Sequence, residues 1–236
     1  MHDVLILDLT EMSGANVCIA GIDLKSGETV RLSTPSPTRN TVRSLRGLVP
    51  GDVVHLDWQA DRRSHPPHVE DARWNRLTAR KVRTMACSEV SALVQPHAFD
   101  AITEAFGEPW FTSGNGNCAW RPAHGERSLA SVIVRYVGID EDRSKRPRIH
   151  LLDAAGKHWH GAPLQDLQAK VHATDCESCA GQYMKNIRAD FAAEDAIVRV
   201  GLTRPYKHPD HPEACWLQVT NVLARERTHF VGLNSG

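Results

Sequence analysis

The chain contains no long hydrophobic run. None of its apolar stretches approaches the roughly 20 residues that a helix needs to cross a bilayer. The first stretch, residues 4–9, is interrupted by Asp8 and has no basic segment before it. It therefore predicts a strand rather than an export signal. We expect a cytoplasmic protein without a membrane partner.

An excess of charge of either sign is also missing. The 236 residues include 28 Lys and Arg against 28 Asp and Glu, so the formal net charge is zero. This balance excludes a histone-like polycation but is compatible with a local basic groove. Cysteine is sparse, at six residues. Without an export signal, these cysteines are expected to be thiols or metal ligands rather than a disulfide framework.

No complete catalytic motif is present. Residues 114–117 alternate Gly and Asn but lack the Lys-Ser/Thr that completes a phosphate-binding loop. The pattern Gly-x-Ser-x-Gly of serine hydrolases is absent as well. One segment, with His68, Glu70 and Asp71, combines an imidazole with two carboxylates. In a chain with 13 histidines, chance explains this combination better than a hydrolytic site does. The sequence predicts no catalytic residues and makes a metal-dependent nuclease or nucleotide hydrolase the least favoured function.

Short β-runs dominate the first third of the chain. Two of them flank the turn signal Lys25-Ser26-Gly27-Glu28 and predict a hairpin. The five predicted strands are 4–9, 17–24, 29–32, 53–58 and 77–85. Five short strands within about 80 residues favour a small barrel over a βαβ sheet. We assign residues 1–87 to this first OB-like barrel.

The middle of the chain has a different character. The apolar residues of 88–106 have helical spacing, and Pro96 is expected to divide them into two short helices. Residues 108–125 are rich in Gly, Asn and Pro, with Trp110 and Trp120 as candidates for exposed tryptophans. We interpret residues 88–126 as a helical and irregular connector.

The β pattern returns in residues 127–236. The predicted strands are 129–139, 148–152, 158–160, 196–203 and 215–223, with a short helix at 163–171. Three strands, a helical insert and two strands is the order of an OB barrel. The predicted fold class is therefore mainly β, with two OB-like small β-barrels joined by a helical and irregular segment.

Five short segments form a set that points to a known family: 18–32, 51–54, 67–71, 201–205 and 215–220. The first begins Cys18-Ile19-Ala20-Gly21-Ile22-Asp23-Leu24, and the last two read Gly201-Leu202-Thr203-Arg204-Pro205 and Cys215-Trp216-Leu217-Gln218-Val219-Thr220. Together they resemble the prokaryotic dual OB-containing domain family over nearly the whole chain. The resemblance implies two OB-like barrels, a nucleic-acid or nucleotide-binding role in prokaryotic conflict systems, and no established catalytic residues.

Cys176 and Cys179 form the sharpest local motif. Two thiolates at this spacing can hold one tetrahedral metal ion. His172 lies upstream, while His208, His211 and Cys215 lie in or beside the last predicted hairpin. A structural zinc site made of Cys176, Cys179, His172 and Cys215, or of the two cysteines and two histidines, is one prediction. Ordinary reduced thiols are the alternative. A thioredoxin-like redox pair fits less well because the flanking βαβ pattern is missing.

Two basic clusters fall where OB barrels bind single strands, in the loops that join strands one to two and four to five. The predicted nucleic-acid contacts are Arg143, Lys145, Arg146 and Arg148 in the first cluster and Arg204, Tyr206 and Lys207 in the second. Tyr206 would stack on a base while the cations contact phosphates. A solvated charged face is the competing interpretation.

The leading hypothesis is a non-catalytic module that binds nucleic acid or a nucleotide. Its predicted ligand is single-stranded DNA or RNA, and its predicted role is that of a sensor or adaptor in a prokaryotic antiviral defence system. The alternative is a protein-interaction scaffold that docks a partner enzyme from the same operon. Zero net charge favours this alternative somewhat.

Overall fold

Strands make up most of the regular structure in the computed structural model of this protein. The described residues are 1–11, 17–33, 47–75, 77–141, 147–165 and 196–223. Across these ranges, no helix has the length and apolar character needed to span a membrane. The predicted mainly β fold class is confirmed.

The first sheet has seven strands. They are β1 (His2–Glu11), β2 (Val17–Asp23), β3 (Thr29–Ser33), β4 (Asp52–Leu56), β5 (Trp58–Ala60), β6 (Asp71–Trp74) and β7 (Arg80–Thr84). Their order is β5-β6-β3-β2-β1-β4-β7, with β3 and β6 parallel. β4 pairs with β1, β5 pairs with β6, and only Asp57 separates β4 from β5 in the chain. The strands therefore form a closed path from β1 through β2, β3 and β6, which returns to β1 through β5 and β4. This is the ring of an OB barrel, with β7 as an additional edge strand.

The apolar run at the start of the chain is buried on both faces of β1. Val4 and Ile6 point into the core of the first barrel. Leu5 and Leu7 belong to a second cluster, which also contains Ile197 of the second half of the chain. A strand covered on both faces has a continuous rather than an alternating apolar sequence, as seen here.

The second sheet forms another ring with an added ribbon. Its strands are β8 (Phe111–Thr112), β9 (Cys118–Trp120), β10 (Leu129–Glu141), β11 (Pro147–Asp153), β12 (His158–Pro163), β13 (Ala196–Leu202), β14 (Tyr206–Lys207) and β15 (Glu213–Leu223). The main order is β12-β11-β10-β13-β15-β9-β8. A parallel bridge between Leu164 and Val219 joins β12 to β15 and closes the ring. β8 and β9 extend the far edge of β15.

Two short helices connect the sheets. They are α1 (Cys87–Val94) and α2 (Ile102–Phe106), and a 3-10 turn at Gln95–His97 contains Pro96, so the predicted split is confirmed. α1 packs through Val90 on the first barrel, and α2 packs through Ile102 in the core of the second. The domain boundaries after residues 87 and 126 stay a prediction, although β8 and β9 lie inside the expected connector and pair with the second sheet.

The second core is built around two stacked tryptophans. The rings of Trp120 and Trp159 lie 6.2 Å apart at an angle of 21°. Trp120 is buried and donates its indole N–H to the carbonyl of Gly107 at 3.0 Å, so the expectation of an exposed side chain was wrong. Trp110 is 41% exposed, as expected. The predicted helix at 163–171 falls largely outside the described residues, and Pro163 ends β12 instead.

Candidate functional site

The loop between the fourth and fifth strands of the second barrel is held at its base. Thr203 donates its backbone N–H to the carbonyl of Trp216 at 2.9 Å, and the N–H of Trp216 donates to the Thr203 hydroxyl at 2.9 Å. Tyr206 then pairs with Ala214 across a short antiparallel ribbon. Most of the intervening residues are exposed. We call residues 203–216 the terminal hairpin.

Six aromatic rings gather where the terminal hairpin meets the β8–β9 ribbon. They are Trp110, Phe111, Tyr206, His208, His211 and Trp216, and we call them the aromatic platform. Neighbouring ring centroids lie between 5.2 and 6.5 Å apart. Trp110 and Tyr206 stand at opposite ends and are 41% and 56% exposed. Exposed flat rings of this kind offer faces on which nucleic-acid bases stack.

Strand pairing brings the two halves of the platform together. Trp216 on β15 lies opposite Ala119 on β9, and Ala119 in turn lies opposite Phe111 on β8. The ring of Phe111 consequently sits 5.4 Å from Trp216, edge to face at 90°, and 5.5 Å from His211. The platform is therefore held by backbone hydrogen bonds as well as by ring contacts.

Positive charge lies at both ends of the platform. The guanidinium of Arg121 lies 5.0 Å from the centroid of the Trp110 ring, in cation–π geometry. At the other end, Lys207 follows Tyr206 and is exposed. An aromatic face beside a cation can hold a base and its adjacent phosphate together.

Arg204 is already engaged within the chain. Its Nη2 donates to Oδ2 of Asp71 on β6 of the first barrel. The Arg204 side chain is still half exposed, whereas Asp71 is 9% exposed. Any phosphate contact of Arg204 must therefore compete with, or share, the carboxylate of Asp71.

This contact is part of a polar network that joins the two barrels. Arg31 donates to Asp71 at 3.3 Å and to the hydroxyl of Ser128 at 2.7 Å. The Glu70 carboxylate accepts the backbone N–H groups of Ser128 and Leu129 at 2.5 and 2.9 Å. The network, which we call the buried junction, consists of Arg31, His68, Glu70, Asp71, Ser128 and Arg204.

His68 is the imidazole of the buried junction and is neutral at pH 7. It is 3% exposed, and its Nδ1 lies 2.9 Å from Nη1 of Arg31, which donates the hydrogen bond. Burial, followed by the charges of Arg31 and Arg204, lowers the pKa of His68 from 6.5 to about 3. An imidazole with so low a pKa is a weak base at neutral pH. The segment with His68, Glu70 and Asp71 thus supplies contacts that join the two barrels.

The other predicted cationic cluster is only partly described. Arg143, Lys145 and Arg146 lie outside the described residues, and their role stays a prediction. Arg148 lies on β11, where its Nη1 donates to the carbonyl of Gly161 at 3.2 Å. Within the described chain, the structure therefore groups Arg204, Tyr206 and Lys207 in the terminal hairpin and places Arg148 on a different strand.

Of the four residues in the Cys-Cys-His-Cys form of the predicted zinc site, only Cys215 lies among the described residues. Cys176, Cys179 and His172 lie outside the described residues. Cys215 is fully buried in the second core, and burial raises the pKa of its thiol to about 11. Because three of the four predicted ligands lie outside the described residues, the zinc site stays a prediction. In the described part of the chain, no group of three or more His, Cys, Asp or Glu side chains is placed to hold a metal ion.

Sequence reasoning missed half of the aromatic platform. Trp110 and Phe111 lie in a segment interpreted as irregular, and β8 has just two residues. The available signal was the pattern of Cys118 and Trp120 around a small residue, which is typical of a short strand, preceded by a Gly/Asn turn. His211 was noted as a possible metal ligand rather than as a ring between Phe111 and His208.

Comparison with known protein families gives a match over nearly the whole chain. The model of the family described as the dual OB-containing domain matches residues 3–222. No curated protein matches the chain. One solved structure, of a murine DNA-binding protein bound to double-stranded DNA, is 9% identical over 95% of this chain and 96% of that one, with a TM-score of 0.29.

Proposed function

We propose that this chain, which belongs to the dual OB-containing domain family, binds nucleic acid and holds a single strand on the aromatic platform. The observation that supports the proposal most directly is the placement of exposed rings and cations around the terminal hairpin. That hairpin is the loop between strands four and five, one of the two loops with which OB barrels contact oligonucleotides.

The form of the platform favours a single strand over a duplex. Trp110 and Tyr206 offer ring faces, and a base must be unstacked from its neighbours before it can lie on such a face. A protein that recognises the sequence of a duplex instead needs an element that enters a groove, usually a helix. α1 and α2 have eight and five residues, and both turn apolar side chains into the cores. Stacking also predicts weak sequence preference, because every base has an aromatic face.

The charge pattern predicts a modest electrostatic contribution. Arg121, Arg204 and Lys207 are the cations at the platform, and the chain as a whole has no net charge. Three phosphate contacts to a single strand correspond to a slope of about −2 in log K against log salt. Most of the affinity should then come from stacking, at about 1–3 kcal/mol per base.

Fluorescence anisotropy tests this proposal directly. The intact chain is titrated into labelled single-stranded and duplex DNA and RNA of matched length, first at low ionic strength and then over a salt series. We expect saturable binding to at least one single strand, weaker binding to the duplexes and a shallow salt slope. Absence of salt-sensitive binding to all four probes would refute the proposal.

A second candidate function is that of a protein-interaction scaffold. All five residues of β7 are exposed, including the apolar Val82 at 52%. β7 pairs with β4 along one edge, and among the described strands none pairs with its other edge. An open edge of this kind can accept a strand from a partner. Co-purification from the native operon, compared between the parent chain and Val82→Pro, tests this function independently of nucleic acid.

A role as sensor or adaptor in a prokaryotic defence system is the finer form of the proposal. This role is supported by the resemblance to the dual OB-containing domain family, whose members are expected to act as binding modules in conflict systems. We expect phage protection by the native operon to be lost with Tyr206→Ala and retained with Tyr206→Phe. Equal phage protection with both variants would show that a defence role does not depend on the aromatic platform.

A further inference from the structure

Three histidines share the outward face of β11 and β12, and none of them belongs to the aromatic platform or to the buried junction. His150 lies on β11, while His158 and His160 occupy alternate positions of β12. A register shift between Ile149 and Leu151 interrupts the pairing of the two strands at His150. The side chain of His150 is 28% exposed, and His158 and His160 are exposed.

Two of these imidazoles point their Nδ1 atoms at each other. The Nδ1 atoms of His150 and His160 lie 3.1 Å apart. On the opposite side of the His150 ring, Oδ2 of Asp140 on β10 lies 2.8 Å from Nε2. Among the described residues, Nε2 has no hydrogen-bond partner in this geometry, but the negative charge beside it favours the tautomer of His150 that has its proton on Nε2 and its lone pair on Nδ1. In the absence of a metal, His160 donates its Nδ1–H to that lone pair.

The environment of the pair resembles half of a metal site. A carboxylate beside the second ring nitrogen is the usual partner of a metal-bound imidazole, and once it accepts that N–H it fixes both the tautomer and the ring orientation. Asp140 lies within reach of this role. Two nitrogen ligands, each about 2.0–2.1 Å from one ion, are separated by little more than 3 Å. The observed separation of the Nδ1 atoms, 3.1 Å, already fits this geometry.

We propose that His150 and His160 bind one divalent late transition-metal ion through their Nδ1 atoms. On binding, the proton on Nδ1 of His160 moves to Nε2 of the same ring through solvent, so both Nδ1 lone pairs face the ion. Imidazole ligands suit Cu²⁺, Ni²⁺ and Zn²⁺ rather than Mg²⁺ or Ca²⁺. Cu²⁺ binds tightest in the general order of these metals.

The site is expected to be open rather than closed. Since no third His, Cys, Asp or Glu of the described chain completes the set, water fills the remaining coordination positions. His158 is the nearest reserve ligand, because its ring lies parallel to that of His160 at a centroid distance of 5.9 Å. An open two-histidine site predicts moderate affinity and no requirement of the metal for folding.

Calorimetric titration with Ni²⁺ tests the proposal, using the full chain without a histidine tag. Cys176→Ser and Cys179→Ser are introduced as a background, so that the predicted thiolate site does not contribute. We expect one Ni²⁺ per chain, at least tenfold weaker binding in His150→Ala and in His160→Ala, and about tenfold weaker binding in Asp140→Asn. His124→Ala is the matched control, because His124 is exposed in a different segment.

Electron paramagnetic resonance of the Cu²⁺ complex gives an independent measurement. We expect nitrogen hyperfine structure from two imidazoles, reduced in each histidine variant. Ni²⁺ binding that is unchanged in both His150→Ala and His160→Ala would overturn the proposal. So would a Cu²⁺ spectrum without nitrogen coupling. Circular dichroism confirms that the variants fold, and Tyr206→Ala should leave Ni²⁺ binding unchanged, which separates this site from nucleic-acid binding.

Discussion

Arg199 and Asp8 form a fully buried ion pair between the two barrels. Nη2 of Arg199 on β13 donates to Oδ2 of Asp8 on β1 at 2.7 Å, and its Nε lies 3.2 and 3.3 Å from the two carboxylate oxygens. The side chains are 2% and 1% exposed. Thr220 donates its hydroxyl to Asp8 at 2.9 Å, and Arg199 donates to the hydroxyl of Ser131 at 2.9 Å. The pair therefore connects β1 of the first barrel to β13 of the second through charged hydrogen bonds.

Removing one partner of this pair should destabilise the fold strongly. Asp8→Asn or Arg199→Met leaves an uncompensated buried group, and we expect each to lower the free energy of unfolding by about 3–5 kcal/mol. The double variant Asp8→Asn/Arg199→Met should lose less than the sum of the two single losses, since no charge remains buried. Urea unfolding measures all four chains. Single variants within about 0.5 kcal/mol of the parent would show that the pair is not important for stability.

Truncation of the exposed ring of Tyr206 should weaken binding of a single strand. Tyr206→Ala removes one stacking face, and we expect a loss of about 1–3 kcal/mol, roughly 5- to 150-fold in Kd. Tyr206→Phe keeps the ring and should remain near the parent value. Leu77→Ala is a control for exposed apolar surface, because Leu77 is 86% exposed in the first barrel. Anisotropy titrations with one labelled oligonucleotide compare the parent with the three variants. Equal Kd values would show that Tyr206 does not contact the nucleic acid.

The fold was predictable wherever a strand has a local pattern. The run at residues 4–9 and the hairpin around Lys25 appear in the sequence as apolar stretches and a turn signal. β6 (Asp71–Trp74) was missed, because two of its four residues are charged and prolines precede it. This strand forms through parallel pairing with β3, about 40 residues earlier in the chain, and such a long-range contact leaves no local signature.

The candidate site was predictable in position but not in its contacts. Flanking strands identified the terminal hairpin, and Tyr206 and Lys207 lie there as exposed residues. The sequence could not show that Arg204 pairs with Asp71, since the two are 133 residues apart. Likewise, Phe111 joins the platform through sheet pairing with β9, which follows from the tertiary fold rather than from local propensity.

Neutralising Lys207 should reduce the salt dependence of binding. If Lys207 contacts a phosphate, Lys207→Gln should flatten the slope of log K against log salt by about 0.7 for a single strand. Lys25→Gln is the matched control, because Lys25 is exposed in the β2–β3 turn of the first barrel. Anisotropy over a series of salt concentrations gives both slopes. Equal slopes for Lys207→Gln and Lys25→Gln would show that Lys207 does not contact a phosphate.

Arg204 should affect both binding and stability, unlike Lys207. Arg204→Gln removes a phosphate contact and also one of the two guanidinium partners of Asp71. Because Arg31 remains bound to Asp71, we expect a modest loss of about 1 kcal/mol in the free energy of unfolding together with a flatter salt slope. Urea unfolding and the salt series measure the two effects. Unchanged stability with a flatter slope would mean that the Asp71 contact is dispensable.

Acid should destabilise the protein through His68. The pKa of this histidine is about 3 in the folded chain against 6.5 for an unperturbed side chain, so below pH 6.5 the unfolded chain binds the extra proton. The free energy of unfolding should therefore be constant above pH 7 and fall by up to about 1.4 kcal/mol per pH unit between pH 6.5 and 3. Between pH 7 and 5, this amounts to about 2 kcal/mol from His68 alone.

His68→Gln isolates this contribution, since the amide oxygen of Gln can still accept from Arg31 but does not titrate. We expect the variant to be less stable than the parent at pH 7, through altered packing, and to lose about 2 kcal/mol less between pH 7 and 5. His124→Gln, at an exposed position, is the control and should follow the parent. Urea unfolding at pH 7, 6 and 5 measures the three chains. Parallel pH profiles for the parent and His68→Gln would show that His68 becomes protonated in the folded state, and the charged surroundings of the buried junction would then have to rearrange to accept a third cation beside Arg31 and Arg204.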